Sequence, residues 1–264
     1  MVVRKPVALW ILAFLVTAAS AVYQRLTGPT YPLRGSTVLD GQRIQFRLIR
    51  SHAGTGDAVV RVPAPNGVTG SVAWKRHKTR DAWSYVEMRR EGAELTAALP
   101  HQPPAGKLDY RVVLSAGGER VSLGGAPVTI RFRGDVPAAV LIVHVITMFA
   151  AMLTSTRAGL EFWSAAPRYL PLVLWTIGLL FLGGLILGPV VQKYAFGEYW
   201  TGWPFGSDLT DNKTAAAFLA WLAAFYGVKR SSHPGRWVLA AALATWIVFA
   251  IPHSMFGSEL KYEQ

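Results

Sequence analysis

The chain has 264 residues, of which 52% are hydrophobic and only 16% charged, with a net charge of +12 and no cysteine. A soluble domain carries about a quarter charged residues, so the deficit points to apolar stretches that span a membrane. The missing cysteine excludes disulfides, thiolate ligands, iron–sulfur clusters and covalent c-type haem attachment, which leaves His, Met, Tyr or carboxylate for any metal.

Taken in chain order, Val7 to Tyr23 is apolar and follows Arg4 and Lys5. It suits either a short transmembrane anchor or a signal peptide with an Ala-Ser-Ala cleavage site at Ala19 to Ala21. A retained anchor over residues 1–24 is the expectation.

Over residues 25–135 the pattern changes to short alternating runs, RIQFRLI, AVVRVP, SVAWKRH, SYVEMRR, KLDYRVVLS and VTIRF, separated by turns such as PAPNG, HQPPAG and SAGG. Period-two alternation at about ten-residue spacing, with turn chemistry between, predicts an antiparallel β-sandwich. The stretch LPHQPPAGKLDYRVVLSAGG resembles the penultimate-strand region of immunoglobulin-like or fibronectin-like domains, where a Pro/Gly turn leads into a Tyr-bearing strand. From Gln24 to Asp135 there are 17 Lys+Arg against 9 Asp+Glu. This surface is either simply solvated or attractive to anionic lipid or an acidic partner. His52, His77 and His101 are scattered over strands and turns and read as surface residues.

Four apolar runs follow over residues 136–264. Val136–Thr154 and Tyr169–Val191 have the length of a span, whereas Asn212–Val228 and Trp237–Ile251 are shorter and need tilt, local thinning or neighbours. Arg4 and Lys5, Arg157 and Arg168, and Lys229, Arg230 and Arg236 all fall on one side of these spans. By the positive-inside rule that side is the cytoplasm. The β-region, the aromatic loop over residues 192–213 and the segment after Ile251 are then extracytoplasmic. The expected fold is an α+β membrane protein of the cytoplasmic (inner) membrane: an N-terminal transmembrane helix, an extracytoplasmic immunoglobulin-like β-sandwich and a C-terminal four-helix transmembrane bundle. In GLLFLGGLILG, Gly178, Gly183, Gly184 and Gly188 permit close helix approach, within the bundle or between subunits.

The topology brings three pieces of sequence to one membrane face. His144 lies eight residues into its span, about 12 Å deep at 1.5 Å per residue, and His253 lies just past the outer end of the last span. A His within hydrocarbon is either a functional group or a donor to a neighbouring helix carbonyl that glues the bundle. Two imidazoles from different helices, opening toward a Trp/Tyr/Phe surface, supply what a bis-histidine haem site needs. The aromatics by themselves also fit an interfacial belt. In DLTDNKT, Asp211 or Asn212 is read as the N-cap of the following helix and Asp208 as an Asx-turn residue. Lys193 and Lys213 either meet propionates or snorkel to headgroups.

The run KYAFGEYWTGWPFGSDLTDNKTAAAFLAWLAAFYG resembles the tryptophan-rich outer loop and following helix of the cytochrome c assembly family of membrane haem-handling proteins. HVITMFAAM is similar to that family's His-containing helix, and IPHSMFGSE to its His-Ser-aromatic-Gly segment, so the likeness extends from Val136 to Tyr262. The resemblance implies haem b held axially by His144 and His253. It also implies Trp200, Trp203, Tyr199 and Phe205 against the porphyrin, with Asp208 in the same binding loop. The Trp-Asp junction of that motif is split here by Pro204, Phe205, Gly206 and Ser207.

Expected partners are membrane lipid and other membrane or extracytoplasmic proteins, a cytochrome among them, and no nucleic acid. The alternative class is a non-haem accessory or structural subunit of a larger membrane complex, whose sandwich docks a partner. An enzyme ranks third, because no nucleophile–base arrangement or metal-hydrolase spacing appears.

Overall fold

The computed structural model describes residues 6–252, 257, 259–260 and 262. The chain is α+β and divides into a helical unit, drawn from residues 1–29 and 136–258, and a β unit, drawn from residues 30–135 and 259–264. The first helix, expected as a separate anchor, belongs to the helical unit. The segment from Glu259 onward belongs with the strands.

Helix α1 (Pro6–Thr27) lies against α2 (Ala138–Leu160). Its buried residues, Leu9, Ala13 and Thr17, recur every four positions and so form one helical face. After a 3₁₀ turn at Glu161–Trp163, a continuous rod is built from α3 (Tyr169–Leu180), a π-helical turn (Phe181–Leu187) and α4 (Gly188–Phe196). Helices α5 (Leu209–Arg230) and α6 (Pro234–Ala250) complete the unit.

Among the described residues, three helical stretches are long and apolar enough to cross a membrane: Pro6–Thr27, Ala138–Trp163 and Tyr169–Phe196. Two of the four spans expected after Asp135 therefore reach that length and composition. Helix α6 is apolar but only 17 residues long, and α5 carries Asp211, Lys213, Lys229 and Arg230 near its ends.

Small residues bring these helices together. A Cβ on Gly183 would lie 2.9 Å from the sulfur of Met148, and one on Gly184 would lie 2.5 Å from the Thr214 methyl. The rod thus approaches α2 and α5 where the sequence has Gly-Gly, as close-packing logic predicts. Gly178 has open space around it and plays no such part. Between α5 and α6, Gly227 makes room for the indole of Trp237. Trp221 is fully buried there and donates its indole N–H to the Thr245 hydroxyl at 2.8 Å.

In the β unit, β1 (Leu33–Leu39) and β2 (Gln42–Leu48) form a hairpin. A larger sheet has the order β3 (Ser51–Ala53), β11 (Val128–Arg133), β9 (Lys107–Ala116), β5 (Thr69–Arg76) and β6 (Ser84–Glu87), with β10 (Glu119–Ser122) also on β9. A third sheet has the order β4 (Ala58–Pro63), β8 (Glu94–Leu99), β7 (Arg89–Glu91). Every pairing is antiparallel except β3 with β11. The SYVEMRR run divides into β6 and β7 at Met88, whose N–H turns to the Gly70 carbonyl at 2.8 Å.

Residues from all three sheets close over one core. Strand β9 shows the logic: Leu108, Tyr110, Val112 and Leu114 are buried, while Lys107, Asp109, Arg111 and Val113 alternate to the other face, as a period of two requires. Tyr110 is fully buried and satisfies its hydroxyl on the Ile49 carbonyl at 2.8 Å.

Candidate functional site

The aromatic loop runs between the end of α4 and the start of α5. Helix α4 stops at Gly197, whose φ of +89° favours glycine and whose N–H returns to the Lys193 carbonyl at 2.9 Å. The Lys193 ammonium reaches the Gly197 carbonyl at 2.6 Å and stands 5.3 Å over the Tyr199 ring. One of the two lysines expected to meet propionates or headgroups is therefore committed to a helix end.

Helix α5 begins one turn earlier than its apolar run suggests, and this reassigns the three capping candidates. Asp208 is the N-cap: one carboxylate oxygen accepts the Thr210 N–H at 2.7 Å, and the other accepts the Thr201 hydroxyl at 3.2 Å. Asp211 lies inside the first turn, and its Oδ2 accepts the N–H groups of Thr201 (2.7 Å) and Gly202 (2.9 Å) and the side-chain amide of Gln192 (3.1 Å). Asn212 Oδ1 accepts the Trp203 N–H at 2.7 Å.

These bonds clamp the loop backbone onto the first turn of α5. Gly202 is required at the seam, since a Cβ there would stand 2.6 Å from the Asp211 Cβ. The clamp turns Trp203, Phe205 and Tyr199 outward, 79%, 83% and 57% exposed. Trp200 is half-buried and donates its indole N–H to the Trp203 carbonyl at 3.1 Å. Lys213 is buried and donates to the Ile251 carbonyl at 2.7 Å, tying α5 to the end of α6.

His144 sits in the second turn of α2, half-buried. Its Nδ1 is 3.0 Å from the carbonyl oxygen of Gly183. A carbonyl only accepts, so the proton is on Nδ1 and the lone pair of the neutral ring is on Nε2. The π-helical turn sets this up. Gly188 N–H bonds Gly183, five residues back, and that one carbonyl takes both donors. Gly188 lies beside the imidazole, with Cε1 at an ordinary contact distance of 3.8 Å from where its Cβ would be.

The loop that carries Tyr199, Trp200, Trp203 and Phe205 is clamped onto the first turn of α5, which Asp208 caps. His144 meets the other end of α4 instead: from Gly188 to Phe196 the rise is about 12 Å. His253 lies outside the described residues. Sequence reasoning missed Gln192, Thr201 and the Gly183 carbonyl. The Gly-Gly pair midway through an apolar span was the signal for the last, while Gln192 and Thr201 act through partners that no spacing rule connects.

No protein-family model matches the chain, and no curated protein matches its sequence.

Proposed function

We propose that the chain is a multi-pass protein of the cytoplasmic membrane that binds haem b. In this reading α2, the α3–α4 rod, α5 and α6 form a four-helix transmembrane bundle, the β unit is an immunoglobulin-like sandwich, and both the sandwich and the aromatic loop face the extracytoplasmic side. The observation that carries the haem assignment is the hydrogen bond from His144 Nδ1 to the Gly183 carbonyl. Metal-ligating histidines almost always spend the other ring N–H on a carbonyl, carboxylate or water, which fixes the tautomer and the ring orientation. Among the described residues nothing else engages His144 by a hydrogen bond, so Nε2 is the nitrogen available to iron.

In this reading His253 would be the second ligand to the iron, and Trp200, Trp203, Tyr199 and Phe205 would offer flat apolar surface. When bound, haem supplies a one-electron couple at its iron. The chain's own residues orient the imidazole, hold the loop through Asp208, Asp211 and Asn212, and keep the aromatic side chains displayed. A single ligand pair serves one haem, handled for cytochrome assembly or used for electron transfer. The link to the cytochrome c assembly family rests on the sequence resemblance.

The test is the visible absorption spectrum of the purified protein. We expect a Soret band that is lost or displaced in His144→Ala and in His253→Ala. No band, or a band indifferent to both substitutions, overturns the assignment.

A second reading, a non-haem accessory subunit, is favoured by one specific observation. The polar side chains of the loop are consumed in presenting Trp203 and Phe205 outward, and exposed aromatics of this kind anchor protein–protein contacts. His144 is then bundle glue. The same spectra separate the two.

A further inference from the structure

The outer face of the larger sheet carries a cluster that the haem reading does not use. His77 follows β5, and its N–H pairs with the Lys107 carbonyl at 3.0 Å, which places its ring beside β9. His77 Nδ1 is 2.9 Å from Asp109 Oδ1, and Asp109 also accepts the Thr129 hydroxyl at 2.7 Å. On its other side, His77 Nε2 is 3.4 Å from Glu259 Oε1. The imidazole therefore stands between two carboxylates, one on the sheet and one on the segment that follows the last helix.

That segment is seated on the β unit by several further contacts. Glu259 receives Lys78 at 2.7 Å and Lys107 at 3.2 Å. Leu260 donates its N–H to the Ala105 carbonyl at 3.1 Å. The Tyr262 hydroxyl accepts the Lys107 N–H at 2.9 Å and lies 3.0 Å from the Gln102 side-chain oxygen, and its ring lies under the Arg76 guanidinium at 5.2 Å.

We propose that His77 is a proton-operated latch that fastens Glu259, Leu260 and Tyr262 to the strands more tightly when the imidazole is charged. The argument is one of donors and acceptors. Neutral His77 has one N–H, and with that proton given to Asp109 its Nε2 lone pair faces the Glu259 carboxylate. Protonated His77 donates to Asp109 and Glu259 at once. The other charged groups facing the site are Lys78 and Arg76 with its partner Asp81 from the β5 end, Lys107 from β9, and Arg131 from β11, which is paired beside Lys107. Lysines and arginines keep their charge across the range in which imidazole titrates, so they hold Glu259 at every pH in it and His77 adds the pH-dependent part. Glu259 stays ionised there as well: burial pushes its carboxyl up, but Lys78 and Lys107 outweigh this and hold it below its ordinary value.

The experiment is hydrogen exchange on the full chain in detergent micelles, reading the protection factor of the Leu260 amide at about pH 8 and about pH 5.5, corrected for the intrinsic rate, across the imidazole range. This amide reports the ratio of seated to released segment even when release is rare. Protection is expected to be about two- to fivefold higher at the lower pH, the scale of a partly exposed ion pair, and His77→Gln should remove the difference. An unprotected amide at both pH values, equal or lower protection at the acid end, or the same rise in His77→Gln would each overturn the latch. The wild-type comparison stands even if the variant folds poorly.

Discussion

In the β unit the buried side chains are apolar apart from Thr96 and Arg131, with Leu, Ile, Val, Phe, Ala, Met88 and Tyr110 making the core. In the helical unit the sealed side chains include Arg157, Glu161, Gln192, Asp211 and Lys213, while Trp175, Ile247 and Leu219 point outward. Of the fifteen buried polar or charged residues among those described, only Thr96 and Arg131 belong to the β unit. The contrast is what the proposed membrane reading requires: a domain in water gains by hiding apolar area, whereas a bundle in lipid would gain nothing that way and would hold together through small residues and internal hydrogen bonds.

The largest test of this difference is the buried ion pair of Arg157 and Glu161, which also anchors the Arg168 N–H at 2.8 Å and carries Trp10 against the guanidinium. Glu161→Ala leaves a buried cation unpaired and should cost about 3–5 kcal/mol, read as thermal unfolding in detergent. Replacing both partners with apolar residues, Arg157→Met with Glu161→Leu, should restore most of that loss, since the pair itself brings little net stability. In the β unit the corresponding damage is done by deleting hydrocarbon: Leu108→Ala should cost about 3 kcal/mol. Equal tolerance of Glu161→Ala and of a surface substitution would break the comparison from the helical side.

The outward residues sharpen it further. Trp175→Lys places a charge in the second turn of the apolar rod and should cost up to about 2.5–3.5 kcal/mol of insertion, the figure for a span's centre, if that face meets lipid. Tyr85→Lys, on an equally exposed β6 position, should change stability by less than about 0.5 kcal/mol. Insertion yield in membranes and thermal melts of the protein check the pair.

The helices were legible because long apolar runs need no partner to be recognised, and each expected run after Asp135 overlaps α2, the α3–α4 rod, α5 or α6. Among the strands, β4 was bounded by its AVVRVP alternation, while β8 (ELTAAL) was missed because it buries residues on both faces and shows no period of two. Strand β1 was missed despite Asp40-Gly41, both at positive φ in a two-residue turn, because its middle, RGST, shows no alternation of apolar and polar residues and only Leu39 is buried. The strongest hairpin signal was in the turn rather than in the strand. In the site, DLTDNKT announced a cap but not which residue, because Asp211 and Asn212 bond to loop backbone nine and ten residues away in sequence. Long-range hydrogen bonds of that kind leave no local pattern.

The smallest expected effect concerns charge at the surface of the β unit, where solvent weakens it. Because Lys78 and Lys107 hold the Glu259 carboxyl below its ordinary value against the push of burial, the attraction of Glu259 for the sheet is fully present above the ordinary carboxylate range. It is lost as pH falls through the lowered value. Protection of the Leu260 amide should therefore fall on going below about pH 4, and Glu259→Gln should flatten that acid limb. An acid limb as steep in Glu259→Gln as in the wild type would assign the loosening to other carboxylates of the β unit and sink the role of Glu259.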